Sequence, residues 1–202
     1  MPLLLKYKAN PNLINKEGFT PLHYVCMRND DKDLVEMLVE HCDNQYKPVL
    51  VDVQDEKGLT PLYHAARIDH KNVIKYLLSK GANPNATDEK GLTPLHHVCK
   101  SYCDEDMAQT MFQIHDEENK WIPDEEEEKY DKLGEMKIIA ELLLNYGANP
   151  NSTDVEGWTS LHFICQRYYD DDFVEAFFKM NDEKHQTVDV DARDNLGWIP
   201  LQ

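Results

Sequence analysis

Apolar residues along this chain recur in pairs at helical spacing. One run contains Leu34, Val35, Leu38 and Val39, and three more keep that spacing: Val73, Ile74, Leu77 and Leu78; Met107, Ala108, Met111 and Phe112; Phe173, Val174, Phe177 and Phe178. Positions i, i+1, i+4 and i+5 share one face of an α-helix. The pattern therefore predicts an amphipathic helix in each run, with one buried stripe.

A short motif begins thirteen or fourteen residues before each of these helices. It reads Thr-Pro-Leu-His at Thr20 and Thr93, Thr-Pro-Leu at Thr60, Thr-Ser-Leu-His at Thr159 and Ile-Pro-Leu at Ile199. Threonine can cap a helix N-terminus, and proline is favoured at the first helical position. A glycine two residues before each copy suits a tight turn with positive φ. Each unit is therefore predicted to be a turn, a short helix and a longer helix.

Self-similarity at such periods is typical of a stacked array, because one unit cannot bury its own apolar face. Two copies also end in Gly-Ala-Asn-Pro-Asn, at Gly81 to Asn85 and at Gly147 to Asn151. These residues resemble the ankyrin repeat, in which Asp-x-x-Gly-x-Thr-Pro-Leu-His precedes Val-Val-x-Leu-Leu and Gly-Ala-x-x-Asn. The resemblance implies an all-α solenoid of stacked helix-turn-helix units with β-hairpin fingers, which binds proteins and is not an enzyme.

The copies divide the chain into a single array. We expect full repeats at 15–54, 55–87 and 154–193, a repeat with an acidic loop at 88–130, a degenerate repeat without its first helix at 131–153, and partial repeats at 1–14 and 194–202. Because both ends fall inside a repeat, we expect the sequence to be part of a longer array.

The unit at 131–153 is inferred from two similarities. Asp131 to Gly134 matches the turn at Asp194 to Gly197, and Ile139, Ala140, Leu143 and Leu144 match the stripe that begins at Val73. The alternative is one repeat interrupted by an acidic insertion, since loops tolerate insertions at low cost.

Charge and cysteine content narrow the class of partner and the compartment. The formal charge of −17 disfavours a partner held by DNA or RNA phosphates and favours a protein surface. Cys26, Cys99 and Cys165 occupy one slot in three copies, so we expect buried, reduced thiols. No apolar run is long enough for a membrane span. We therefore expect a cytoplasmic or nuclear protein without a membrane partner.

Metal binding and catalysis are not expected. His23, His96 and His162 each precede a cysteine by three residues, but these pairs recur once per repeat and so cannot converge on one ion. The resemblance implies that these histidines are hydrogen-bonded core residues. A buried cysteine in a periodic slot also lacks the base that a nucleophile needs. We therefore predict no catalytic residue, metal or cofactor.

We expect a protein partner on the concave face of fingers and first helices. Three sets of positions are free for it: Phe19, Leu59, Leu92, Trp158 and Trp198 after the turn glycines; Glu56, Lys57, Glu89, Lys90 and Glu156 at the finger tips; Arg28, Arg67, Lys100 and Arg167 after or at the end of the first helices. We expect Trp158 and Trp198 to be exposed, because a large ring is hard to bury on a narrow hairpin edge. Leu59 and Leu92 could equally pack on the neighbouring finger.

Three functions fit such a surface. The first is a protein-binding scaffold or adaptor. The second is the regulatory ankyrin segment of a larger enzyme or channel, and the third is a structural spacer without a partner.

Overall fold

The computed structural model describes residues 9–28, 32–40, 44, 47–100, 125–166 and 171–201. In these residues the chain forms eight α-helices and no β-strand. The helices are α1 (Pro21–Cys26), α2 (Lys32–Glu40), α3 (Pro61–Arg67), α4 (Lys71–Ser79), α5 (Pro94–Lys100), α6 (Glu125–Asn145), α7 (Ser160–Cys165) and α8 (Asp171–Glu183).

The helices pack as two layers. The first helices α1, α3, α5 and α7 contact one another in succession, and the second helices α2, α4, α6 and α8 do the same. Each first helix also packs on its own second helix. This arrangement confirms the predicted solenoid of turn, short helix and longer helix. Each repeat buries its apolar stripe only with the help of its neighbours.

The core lies between the two layers. Leu22, Leu62 and Leu95, which follow the prolines of the repeated motif, are completely buried. Cys26 and Cys99 are also fully buried, whereas Cys165 is only half-buried. The expectation of a buried thiol is therefore correct for Cys26 and Cys99 and wrong for Cys165.

Threonine caps the first helices as the motif predicts. Thr20 Oγ1 accepts the backbone N–H of His23 over 3.4 Å, and Thr60 Oγ1 accepts that of Tyr63 over 3.3 Å. Thr93 caps α5 in the same way, with His96 as the donor at 3.3 Å. Each such cap stabilises its helix by about 1 kcal/mol.

The fingers are hydrogen-bonded turns. In each, one Asp or Asn side chain accepts two backbone N–H groups, as Asp55 Oδ1 does from Lys57 at 2.8 Å and Leu59 at 3.0 Å. The residues in this role are Asn15, Asp55, Asp88, Asp154 and Asp194. Neighbouring tips are joined by backbone bonds, such as Glu56 N–H to Glu17 O at 3.1 Å. The tips therefore form one continuous edge.

The third repeat departs from the sequence-based division. Residues 131–134, expected to form a turn, lie inside α6. The finger at 88–91 is bonded directly to the finger at 154–157, since Val155 N–H donates to Lys90 O over 2.9 Å. First helix α5 likewise packs on both α6 and α7. These contacts fit the alternative of one interrupted repeat. The expected helix through Met107 and Phe112 lies outside the described residues.

Candidate protein-binding face

The finger tips and the first helices form one side of the array, which we call the inner face. Three histidines hold it together. Thr20 N–H donates to His23 Nδ1 over 3.0 Å, so the proton of His23 is on Nε2, which donates to the carbonyl oxygen of Leu59 at 3.2 Å. The imidazole of His23 thereby ties α1 to the next finger.

His96 and His162 repeat this geometry. His96 Nδ1 accepts the N–H of Thr93 at 3.0 Å, and its Nε2 donates to Ser152 O at 2.8 Å. His162 Nε2 points to Trp198 O at 3.4 Å. Burial lowers the pKa of both His23 and His96, so these imidazoles are neutral at physiological pH. The expected core role of these residues agrees with this geometry.

A second row of side chains lies nine residues after each finger's Asp or Asn. His64 Nε2 donates to Asp55 Oδ2 at 3.2 Å, and His97 Nε2 donates to Asp88 Oδ2 at 3.1 Å. Burial lowers the pKa of His64 to about 4, although the hydrogen bond to Asp55 opposes that shift. His64 and Asp55 therefore form a hydrogen bond between a neutral imidazole and a carboxylate at neutral pH, not an ion pair.

Rings of this second row and of two further residues, Phe19 and Tyr63, contact one another across three repeats. The ring centroids of Tyr24 and Phe19 are 5.5 Å apart, and Phe19 lies 5.7 Å from His64. The ring centroids of His64 and Tyr63 are 5.4 Å apart, and Tyr63 contacts His97 edge-on with the centroids 4.2 Å apart. We call these five residues the ring row. Tyr24 is 49% exposed, and Tyr63 and His97 are half-buried, so a ligand on the inner face could contact the row.

The ring row was not recognised as a set in the sequence. The available signal was the constant distance of nine residues from Asn15 to Tyr24, from Asp55 to His64 and from Asp88 to His97. Tyr63 stands where three other copies of the motif have histidine. Its ring contact with His97 depends on the stacking of two repeats, which the spacing does not state.

The residues after the turn glycines differ in exposure. Trp158 is half-buried against the core, and its Nε1 donates to Asp194 Oδ2 of the next finger at 3.2 Å. Its expected exposure was therefore wrong, because the following finger covers the indole. Trp198 is 54% exposed, as expected. Leu92 is buried at 4% exposure, while Phe19 and Leu59 are half-buried.

The charged candidates lie where the repeat pattern places them. Exposed side chains at the tips are those of Glu56, Lys57, Glu89, Lys90 and Glu156. Arg28, just after α1, and Arg67, at the end of α3, are exposed. Lys100, at the end of α5, is half-buried with its Nζ 5.9 Å from the ring centroid of Phe163. Arg167 lies outside the described residues.

The histidines of the repeated motif are hydrogen-bonded, and Cys26 is buried. Both ring nitrogens of His23 and His96 are engaged by backbone groups or the capping threonine, so neither is free to bind a metal. The part of the chain described contains no group of three metal-ligating side chains. Burial raises the pKa of the Cys26 thiol to about 12, which removes its nucleophilic form at neutral pH.

The geometry defines a helical repeat protein whose repeated motif forms the helix caps, the turns and the core contacts between neighbouring units. A family model described as ankyrin repeats (three copies) matches residues 1–88 and 47–124. The chain belongs to the ankyrin repeat family. Among the described helices, none is both long and apolar enough to cross a membrane.

Several curated proteins resemble the chain. A putative ankyrin repeat protein of Acanthamoeba polyphaga mimivirus is 23% identical over 194 residues, covering 79% of this chain and 25% of the viral protein. A nuclear factor NF-kappa-B subunit of Gallus gallus is 25% identical over 208 residues, covering 98% of this chain and 17% of that protein. Human transient receptor potential cation channel subfamily A member 1 is 31% identical over 81 residues, 40% of this chain and 7% of the channel subunit. The chain thus spans a quarter or less of these relatives.

Proposed function

We propose that the chain is a non-catalytic scaffold or adaptor that binds a protein partner along its inner face. The observation that carries this proposal is the separation between framework and free side chains. Threonines, histidines and the Asp or Asn of each finger are occupied by internal hydrogen bonds. Tip residues such as Lys57 and Lys90, by contrast, recur at the same position and remain exposed.

The inner face also has the composition of a binding surface. Tyrosine and arginine are enriched among residues that dominate protein–protein binding energies. Tyr24 in α1 and Arg67 at the end of α3 are exposed on neighbouring repeats, beside a rigid layer of packed helices. A rigid surface loses little conformational entropy on binding. The described face therefore suits a partner that lies across several repeats.

A second candidate function is a regulatory segment within a larger enzyme or channel. It is favoured by the small share of each relative that the chain covers and by the channel subunit among those relatives. In that case the partner surface belongs to another part of the same polypeptide.

The proposal also covers the location of the protein and the class of its partner. We propose a cytoplasmic or nuclear location, because Cys26 is a free buried thiol and disulfides are rare in those compartments. We also propose that the partner is neither nucleic acid nor membrane, because a net charge of −17 opposes binding to phosphate-rich surfaces.

Photo-cross-linking tests which face is used. A cysteine-linked benzophenone is placed at position 67 on the inner face, or at Lys75 on the outer side of α4, in a chain whose five native cysteines are replaced by serine or alanine. Position 67 lies at the end of α3 and position 75 in the middle of α4. Both are exposed, so the two labels are matched in accessibility. Cross-linking is carried out in extract of the source cells, and adducts are identified by mass spectrometry.

The expected result is a partner cross-linked from position 67 and not from position 75. The adduct formed from position 67 must also be lost when unlabelled chain competes for the partner. Equal labelling from both positions, or a partner captured only from position 75, would show that the inner face is not the binding surface.

A further inference from the structure

The first helices carry a charge pattern opposite to that of the whole chain. Helices α1, α3, α5 and α7 contain no aspartate or glutamate, although the chain has 38 such residues. Their charged side chains outside the histidines are those of Arg67 and Lys100, and Arg28 follows α1. The strip of first helices is therefore positive in a protein of net charge −17.

Among the described residues, no carboxylate lies within ion-pair distance of the cations of the strip. The lysine–carboxylate pairs among the described residues are Lys71–Glu135 at 3.4 Å and Lys80–Glu40 at 2.8 Å, and both join second helices. Within the described part of the chain, Arg28, Arg67 and Lys100 form no ion pair with a carboxylate. At physiological salt, charges more than about 8 Å away are largely screened. A carboxylate placed beside Arg67 or Lys100 therefore senses that cation more than acidic residues beyond this range.

The spacing of the strip selects a ligand conformation. Packed helices lie about 8–10 Å apart, which sets the step from one first helix to the next. A peptide in the extended polyproline II conformation has three residues per turn and advances about 3.1 Å per residue, so every third residue lies on the same face, about 9 Å further along. Carboxylates three residues apart would then meet Arg67 and Lys100 in turn, while the residues between them face the ring row.

Resting on the proposed function, we propose that the inner face binds an extended acidic peptide segment of a partner protein, with carboxylates at every third residue and apolar side chains between them. Guanidinium groups recognise carboxylates with paired hydrogen bonds, and partly exposed rings provide apolar contact. Tyr24, Tyr63 and His97 each precede a cationic position by three or four residues, so they supply that contact beside the cations. The charge of the strip and its period together define the ligand.

A pair of synthetic peptides tests the period. The first peptide has twelve residues with glutamate at positions 3, 6 and 9, leucine at positions 4 and 7, and serine or glycine elsewhere. The second has the same composition with the three glutamates adjacent. Binding of each fluorescein-labelled peptide to the full chain is measured by fluorescence anisotropy at 150 mM salt. We expect the spaced peptide to bind at least tenfold more tightly.

Charge variants test the residues. Arg67→Glu combined with Lys100→Glu is expected to weaken binding of the spaced peptide at least tenfold. The matched control combines Lys75→Glu with Lys179→Glu on exposed positions of second helices, which changes the net charge equally and is expected to leave affinity within twofold. Circular dichroism and unfolding midpoints verify that both variants fold. An Arg67→Lys variant keeps the charge but loses the paired hydrogen bonds, so we expect its affinity to lie between those of wild type and the double glutamate variant.

The other possible results decide between the acidic-peptide inference and its alternatives. Equal binding of the two peptides, or equal loss in both charge variants, overturns the acidic-peptide inference. A partner cross-linked from position 67 that lacks an acidic segment also overturns it and leaves the scaffold function intact. If the spaced peptide binds only after Glu125 to Glu128 are changed to glutamine, the strip is occupied by this chain's own acidic segment. That result overturns the proposal of a separate partner.

Discussion

The side-chain oxygen of Asn85 accepts a hydrogen bond from the backbone N–H of Asn149 over 2.7 Å, and its amide donates to the carbonyl oxygen of Gly147 over 2.8 Å. Asn151 makes the same two bonds with Asp189 N–H and Thr187 O in the next repeat. The bonds of Asn85 span more than sixty residues of sequence, yet their geometry is that of adjacent repeats. The interruption in the third repeat therefore leaves the stacking of loops unchanged.

Asp52 occupies the place of this asparagine in the loop between the first two fingers. Its Oδ1 accepts the N–H of Asn83 at 2.9 Å, but a carboxylate has no N–H to donate toward the carbonyl of Gly81. We expect Asp52→Asn to raise the free energy of unfolding by about 0.5–1 kcal/mol through the added bond. Urea unfolding followed by circular dichroism measures the change.

Asn85→Asp provides the reverse experiment. It removes the donor to Gly147 O and brings a carboxylate to that carbonyl, so we expect the free energy of unfolding to fall by about 1 kcal/mol or more. If both substitutions shift stability in the same direction, the side-chain amide is not what distinguishes the two positions.

The turn glycines can be separated from the helical glycine by alanine substitution. Gly58 has φ of 76°, and a Cβ there would lie 3.0 Å from the Cα of Asp88. We expect Gly58→Ala to lower the free energy of unfolding by about 2 kcal/mol or more, from strained φ and from contact with the next finger. Thermal unfolding in parallel with wild type tests this.

Gly134 is the matched control because it lies in α6 and a Cβ would meet nothing within 4 Å. Glycine in a helix interior is less stable than alanine by about 0.5–1 kcal/mol. Gly134→Ala is therefore expected to stabilise the protein. A loss of stability there would contradict the helical assignment of residues 131–134.

Acid should weaken the fold through its buried histidines. Burial lowers the pKa of His64 to about 4 from an ordinary value near 6.5, and burial lowers the pKa of His23 and His96 too. Between those two pKa values the unfolded chain binds more protons than the folded chain, so the free energy of unfolding falls as the pH falls from about 6.5 to 4. We expect His64 to contribute on the order of 2 kcal/mol to this loss.

The comparison of variants isolates the contribution of His64. In His64→Gln, the pH-dependent part of the free energy of unfolding should decrease between pH 6.5 and 4. His185→Asn removes an exposed histidine instead and is the control for the loss of one imidazole. Identical slopes in all three proteins would show that His64 titrates in the folded state as it does in the unfolded chain.

Thiol reactivity should follow burial within the repeated cysteine slot. Cys26 is fully buried and Cys165 is half-buried, although burial raises the pKa of both thiols. In a variant with Cys42 and Cys103 changed to serine, we expect iodoacetamide to modify Cys165 on the order of tenfold faster than Cys26 at pH 8. Peptide mass spectrometry after timed quenching measures the two rates, and equal rates would mean that both sites open together.

The repeated architecture could be predicted from the sequence because each unit encodes its own turns and helix starts. Gly58 and Thr60 act through bonds to residues only a few positions away. The motif therefore predicts the first helix, its cap and the finger correctly without knowledge of neighbouring repeats.

Contacts between repeats could not be predicted in the same way. Trp158 is covered by Asp194 of the following finger, and the contact of Tyr63 with His97 joins two units. Asp131 to Gly134 matched a turn in sequence, but they continue α6, whose stripe packs between α4 and α8. Tertiary packing thus decided the cases in which local similarity was misleading.

The interrupted third repeat means that covalent continuity between residues 100 and 125 is not what joins the two halves of the array. Helix α5 packs on α6 and α7, and Asn85 binds the loop after α6, so all of these contacts are side-by-side surfaces of folded units. A break in the intervening segment would leave these described contacts in place and remove the loop-closure constraint. We therefore expect a chain cleaved between residues 100 and 125 to stay associated through the surfaces of its folded repeats.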